Sequence, residues 1–356
     1  MHVLVFFLGL GLVLSTLFSA LSTFVLPRAA RSQLNRLVFG LLRRIFEIPL
    51  HFVRDYRRRD AIMAYYSPIG LMLLLPTWYF LVSIGYAAMY WSIGGLTWSE
   101  AYKLSGSSLF TLGLFNSNGL PANLLIFSEA ALGLILVALL ISYLPTMYSA
   151  FSRREQAVNM LEVRAGNPPS AVEMILRYHR IHGLDSLQNY WRTWEIWFSD
   201  LEESHTVLPA LVFFRSPHPE NSWVIASGAI LDSASFTLAA DIPRTAEAAL
   251  CIRAGFLAFR RICDYFDFPY PADPRFPHDS ISVSRAEFEE ALNILIAEGV
   301  PIKPDHDQAW LDFAGWRVNY DQTLLSLCAL TMAPPGIWSS DRAIGPKIPP
   351  LYLPKK

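Results

Sequence analysis

The run Ser107-Ser108-Leu109-Phe110-Thr111-Leu112-Gly113-Leu114-Phe115, followed by the polar turn Asn116-Ser117-Asn118-Gly119, decides how this chain is read. It lies within residues 104–152, where Glu129 is the only charged side chain. After the turn come about 23 mostly apolar residues, 124–146, enough to cross a bilayer core as a helix. The amphipathic stretch before the loop, residues 99–110, is too short to cross and fits a segment that enters the membrane and turns back. Bare backbone at membrane depth is tolerated only where protein buries it or it lines a wet cavity. A Gly-containing loop between two such elements therefore predicts a water-lined path.

Two further stretches are long enough to span. Residues 3–26 are uncharged and lack the basic start of a secretory signal. Residues 61–99 are also uncharged, with the span expected at 69–93. The chain of 356 residues is 53% hydrophobic and 17% charged, and the apolar excess lies in its first 150 residues. Residues 1–149 hold nine Arg and one Lys against five acids, a net +5. With −1 overall, the remainder carries −6, so a basic apolar half precedes an acidic mixed half.

Arginine bias sets the expected orientation. Arg28, Arg31, Arg36, Arg43, Arg44, Arg54, Arg57, Arg58 and Arg59 lie between the first and second spans, and Arg153, Arg154 and Arg164 follow the third. Between the second and third lie only Glu100 and Lys103. Both Arg-rich sides are expected in the cytosol, with the N-terminus outside and the C-terminal domain cytosolic. Trp78, Tyr79, Tyr86, Tyr90, Trp91 and Trp98 are either outer-interface anchors or packing residues. In residues 31–59, Leu34, Leu37, Val38, Leu41, Leu42, Ile45 and Phe46 recur at helical steps among arginines. That pattern fits a basic amphipathic helix on the inner leaflet, with Arg36, Arg43, Arg44, Arg57, Arg58 and Arg59 facing anionic lipid. A cuff packed on the membrane domain is the alternative.

The order helix, short helix, loop, helix over roughly residues 65–155 resembles the pore-loop cation channel superfamily, specifically the bacterial two-helix potassium channel module. There the filter reads Thr-Val-Gly-Tyr-Gly, often followed by Asp. Here Thr111-Leu112-Gly113-Leu114-Phe115 keeps the Thr and the first Gly but has Phe in place of the second Gly, and Asn116 follows. Residues 128–141, which begin near Glu129 and include Gly133, resemble the inner helix. The resemblance implies a homotetramer in a bacterial plasma membrane. It also implies that backbone carbonyls of residues 111–114, with the Thr111 hydroxyl, replace the water shell of a permeant monovalent cation, K or Na. A Phe at position 115 pays for a positive φ that Gly adopts freely, so a wider or reorganised upper filter is expected.

Around that loop, Ser107 and Ser108 are candidates to tie the short helix to its neighbours. Glu129, an ionisable group inside a span, is a functional candidate by default. It either braces the short helix through Ser107 or Ser108 or sets the field at the outer mouth. Gly133 permits either a bend or close packing. Tyr143, with Pro145 and Tyr148, marks either a gate or an interface.

Residues 156–356 read as helical, with expected helices at 171–182, 186–203, 222–238, 244–266, 284–298, 308–316 and 320–332. Ser284-Arg285-Ala286-Glu287 is a capping-box start. The apolar run 207–214 is ambiguous between helix and strand. The stripe Trp191, Trp194, Trp197 and Phe198 is expected in a core or subunit interface. His179 and His182 are three apart, but no third ligand accompanies them, so neither a metal nor a cofactor is expected. Asp264, Asp267 and Asp273 are expected to be solvated. Cys251, Cys263 and Cys328 have no metal-type spacing, which fits a reduced cytosolic setting. No nucleophile–base pair and no Gly-rich nucleotide loop is present, so an enzyme is not expected. The acidic second half argues against nucleic acid.

The resulting fold class is an all-α membrane protein with three transmembrane helices, a re-entrant pore helix and loop between the second and third, and an α-helical cytosolic domain. The expected organisation is an N-terminal span (1–27), a basic cytosolic linker (28–64), a pore module (65–152), a helical cytosolic domain (153–333) that an unknown ligand or protein would bind, and a Pro-rich tail (334–356). The function expected is a cation channel with a non-standard filter. The alternative is a non-conducting receptor or scaffold on a pore-module fold.

Overall fold

The structure is a computed structural model that describes residues 1–24, 32–117, 119–242 and 245–342. Arg28, Arg31, Asn118, Arg244 at the start of one expected helix, and most of the Pro-rich tail lie outside the described residues. Within them every regular element is helical and none is a strand. The α-helices in chain order are α1 (His2–Phe24), α2 (Gln33–Leu50), α3 (Tyr56–Ala64), α4 (Tyr66–Ile93), α5 (Trp98–Leu109), α6 (Leu120–Ala165), α7 (Ala171–Arg180), α8 (Leu187–Val207), α9 (Trp223–Ala240), α10 (Ala246–Tyr265), α11 (Arg285–Ala297), α12 (His306–Arg317) and α13 (Asp321–Thr331). The ambiguous run resolves as a short 3-10 turn, Pro209–Phe213.

The chain forms two compact units. Unit 1 comprises Met1–Ile45 and Tyr65–Ser149, and unit 2 comprises Phe46–Ala64 and Ala150–Lys356. Four helical stretches are long and apolar enough to cross a membrane: His2–Phe24, Tyr56–Ile93, Leu120–Ala165 and Trp223–Ala240. This is the composition of an α-helical membrane protein. The fourth stretch, α9, differs from the rest because every one of its residues is buried within unit 2. Sequence reading had assigned it to the second half as an ordinary helix.

In unit 1, α1 crosses α4 where two glycines meet. A Cβ on Gly9 would come within 2.5 Å of the Gly85 carbonyl, and one on Gly85 within 2.7 Å of Val13. Small residues let apolar helices approach and gain dispersion contacts where lipid offers no hydrophobic drive. About two turns earlier on α4 than Gly85, Trp78 is fully buried, its indole donating to Ser19 Oγ of α1 at 3.3 Å. Tyr86 and Tyr90 are buried as well, so these aromatics are packing residues. α5 begins with a capping box in which Thr97 N–H donates to Glu100 at 2.8 Å and Glu100 N–H returns a bond to Thr97 Oγ1.

In unit 2, α9 is the central helix, with α7, α10, α12 and α13 packed around it. Phe236 of α9 stacks on Phe288 at 4.8 Å and meets Phe313 at 5.4 Å. The stripe Trp191, Trp194, Trp197 and Phe198 of α8 is buried against Phe259 of α10, as the spacing predicts for a core. Burying each such ring contributes roughly 1.5–3 kcal/mol. Arg317 is wholly buried and ion-pairs with Asp232 and Asp321, while its third nitrogen donates to the Trp338 carbonyl at 2.5 Å. The flanking carboxylates overcome burial and hold Arg317 well above its ordinary value.

Candidate functional site

The site is built outward from the C-terminal end of α5. Phe110 caps the helix, and Thr111 takes a left-handed φ of 54°. Thr111 N–H donates to the Ser108 carbonyl at 2.9 Å and Leu112 N–H to the Ser107 carbonyl at 2.8 Å. That pair of bonds is a Schellman cap with Thr where Gly is usual. A β-branched residue with positive φ is an outlier. Gly113 is left-handed as well, at 67°, whereas Phe115 is not. The strain expected at Phe115 therefore sits four residues earlier, at Thr111.

Ser107 continues the pattern with its side chain. Its Oγ accepts the N–H groups of Leu114 at 2.8 Å and Phe115 at 3.0 Å. In a trans peptide the C=O of one residue opposes the N–H of the next. Since the amides of residues 112, 114 and 115 point at α5, the carbonyls of Thr111, Gly113 and Leu114 point away from it. Among the described residues no hydrogen bond reaches the carbonyl oxygens of residues 111–114. Leu112, Leu114 and Phe115 are exposed in the single chain. The Ser108 hydroxyl takes no part in holding the loop and returns to the Leu104 carbonyl of its own helix at 2.9 Å.

Glu129 braces the short helix, but through a different serine from those expected. It is fully buried; Oε1 accepts from Ser105 at 2.5 Å and Oε2 from Tyr90 at 2.9 Å. Ser105 is also linked to Ser83 of α4 at 2.9 Å, so one carboxylate joins α4, α5 and α6. Both carboxylate oxygens thus have a donor in a place without water, which such a group needs. Sequence reading missed Ser105, Tyr90 and Ser83. The available signal was the recurrence of small polar residues inside apolar runs.

Gly133 packs closely: a Cβ there would collide with the Leu109 carbonyl at the end of α5. The helix continues through it, and its carbonyl accepts from Tyr79 at 2.7 Å. Tyr143 is buried and lies 4.5 Å, ring to ring, from Phe24 of α1.

The basic residues do not share one face. Arg43 is buried with its guanidinium 5.6 Å from the Tyr66 ring centre, which corrects the expectation that it faces lipid. Phe39 fills the space beside Gly70, and this contact turns the Arg43 side of α2 inward. Arg36 and Arg59 are half-buried, Arg44 and Arg58 are exposed, and Arg57 pairs with Glu220 at 2.5 Å. Leu37, Leu41 and Ile48 share the exposed face with Arg44.

In unit 2, Arg154 of α6 is buried and donates to the Leu211 carbonyl at 2.9 Å, the Phe214 carbonyl at 2.7 Å and Glu155 at 2.8 Å. Its NH1 also lies 3.2 Å from His205 Nε2, and Ser204 Oγ lies 3.1 Å from Nδ1. A guanidinium only donates, so Nε2 accepts and the ring proton sits on Nδ1. Burial, with Arg154 beside it, holds His205 well below its ordinary value, so the ring is neutral. The three cysteines are free and buried, and burial pushes each thiol up, away from reactivity. Among the described residues no group of three His, Cys, Asp or Glu could hold a metal, and His179 with His182 gains no third ligand. Asp264, in the last turn of α10, accepts from Tyr270 at 2.6 Å, and Asp273 in the following loop pairs with Arg275 at 2.7 Å.

No family model, no curated protein and no solved structure matches this chain.

Proposed function

We propose that this chain is one subunit of a homotetrameric, potassium-channel-like cation channel. In this reading α4 and α6 are the outer and inner helices, α5 is a re-entrant pore helix, and residues 111–114 form a non-standard filter. The observation that carries it is the loop backbone: its amides are tied to α5 while, among the described residues, the carbonyls of residues 111–114 take no hydrogen bond. Four such loops around an axis supply the rings of carbonyls that replace an ion's water shell. The exposed apolar face of α6, including Leu124, Phe127 and Ile141, supports contact with lipid or further copies of the chain. The N-terminus is outside and unit 2 is cytosolic, in a bacterial plasma membrane. A ligand or protein that favours one packing of unit 2 biases α6 through Arg154. The exposed Leu37, Leu41, Arg44 and Ile48 face of α2 supports contact with anionic lipid.

A non-conducting receptor or scaffold is the second reading. The Schellman cap at Thr111 favours it, because a loop that ends a helix needs no ion. Bilayer recordings with potassium on one side and sodium on the other separate the two. A current from a fourfold assembly that a bulky Gly113 substitution abolishes supports the channel. Silence that persists in a well-folded tetramer after removal of residues 156–356 sinks it.

A further inference from the structure

Unit 2 holds a cavity of about 500 Å³ between the first turn of α7, the middle of α9, α11 and residues 337–342. That volume suits a small organic ligand. Leu176, Ala291, Ile294, Ile337 and Trp338 supply apolar lining. Trp338 is fixed in place, its ring stacked near-parallel to Phe236 and its carbonyl held by Arg317.

The charged lining is one-sided. Glu173, Asp232, Glu287 and Glu290 line the cavity with a single lining cation, Arg342; Glu173 is paired with Arg177 at 2.6 Å, outside the lining. Arg342 is committed: it grips Glu287 with two nitrogens and donates to the Ser282 carbonyl at 2.6 Å. Arg317 lies behind Asp232, wholly buried, and donates to Asp232, Asp321, Ser282 Oγ and the Trp338 carbonyl. Neither guanidinium is available to an anion. Asp232 is 2% exposed, and its Oδ1 accepts from both Arg317 and Tyr320. Among the described residues no hydrogen bond reaches its other oxygen, Oδ2. Glu290 likewise has no ion pair among the described residues. Asp232 lines the cavity, so this oxygen, without a donor on a nearly buried residue, is left to accept from an occupant.

We propose that this cavity binds a small organic cation, an amine carried on an apolar body, with its N–H groups donating to Asp232 Oδ2 and its apolar part against Trp338 and Ile294. Glu290 adds attraction at the mouth. The assignment concerns unit 2 alone and does not depend on ion conduction, so silence in bilayers leaves it standing.

The test is calorimetric titration of the full chain in detergent with 3-phenylpropylamine and with its neutral isostere 3-phenylpropan-1-ol. The amine is expected to saturate one site and to bind at least about tenfold more tightly than the alcohol, since a buried acceptor discriminates against loss of its charged donor. Glu290→Gln is expected to weaken the amine about threefold through lost attraction across solvent. Asp232→Asn is expected to abolish binding, but it strands part of the Arg317 charge and risks misfolding. Ile294→Trp therefore places a larger ring against the apolar wall where the amine's body would lie, from a half-exposed position with every charge kept. It is expected to remove binding while leaving the melting of unit 2 unchanged. Equal affinity for amine and alcohol, unaltered amine binding in a folded Ile294→Trp protein, or no saturable binding of the amine would each overturn the proposal.

Discussion

Replacing Ser107 with alanine removes one oxygen that receives two loop amides, Leu114 N at 2.8 Å and Phe115 N at 3.0 Å. A neutral hydrogen bond contributes about 1 kcal/mol net, so the loop conformation loses about 2 kcal/mol. At about 1.4 kcal/mol per decade, that raises the open population of the loop roughly thirtyfold. Hydrogen exchange on the full chain reads this directly: protection at the amides of Leu114 and Phe115 is expected to fall by about that factor. Protection within α4 should not change, because Ser107 makes no bond to it. Ser108→Ala is the control. Its hydroxyl bonds the Leu104 carbonyl and Tyr90 of α4 but not the loop, so the loop amides should keep their protection. If Ser107→Ala leaves the two amides as protected as before, or if Ser108→Ala exposes them equally, the loop is held by something else. In a conducting protein the same variant should also blur discrimination between potassium and sodium.

Glu129→Leu leaves the Tyr90 hydroxyl without its acceptor, while Ser105 retains the Ser83 carbonyl; thermal stability in detergent should fall by about 1–3 kcal/mol. Glu129→Gln keeps an acceptor and should cost less, and an equal loss in both variants would show that charge matters more than the bonds. His205 is held neutral, so the unfolded chain takes up a proton below its ordinary value of about 6.5 that the folded chain refuses. Its stabilising contribution is therefore intact above about pH 6.5 and lost as pH falls, by about 1.4 kcal/mol at pH 5.5. Chemical denaturation at both pH values should show that loss in the parent and lack it in His205→Gln. Glu287 behaves in the same direction: the Arg342 guanidinium holds its carboxyl down to about 2, so its contribution is present above the ordinary Glu range and lost as pH falls towards about 2. Gln at position 287 keeps the capping box, so Glu287→Gln isolates the charge. With about a third of the side chain exposed, solvent screening reduces the cost to about 1 kcal/mol at pH 7, vanishing near pH 2. A cost that does not vary with pH would assign the effect to packing.

What sequence made legible follows from how locally each feature is encoded. The helices of unit 2 begin and end close to where amphipathic spacing and caps put them. Ser284 and Glu287 form the expected capping box at the start of α11, and Ser170 and Thr245 cap α7 and α10. The tryptophan stripe of α8 is buried as a 3.6-residue period requires. Spacing within a helix does not say which of two faces turns inward, and α2 shows this. Its arginines and leucines alternate as expected, yet Phe39 and Arg43 point inward while Leu37, Leu41 and Ile48 face out.

The candidate site was legible only as far as its parts are contiguous. Ser107 and the loop it holds are eight residues apart at most, so the tie between the end of α5 and residues 114–115 lay within reach of sequence reading. The partner of Glu129 did not, because Ser105, Ser107 and Ser108 lie within a single turn of one helix, and its rotation and register against α6 decide among them. That register is fixed by Gly133, where the Leu109 carbonyl occupies the space a side chain would need. With Leu109 seated there, Ser105 lies one turn earlier, beside Glu129, which is itself one turn before Gly133. Ser107 is rotated away towards the loop. A single glycine thus assigns the carboxylate to one serine and frees another to hold the backbone whose carbonyls form the candidate path. Substitution at Gly133 should therefore disturb both arrangements together, although the side chains of Glu129 and Ser107 bond elsewhere.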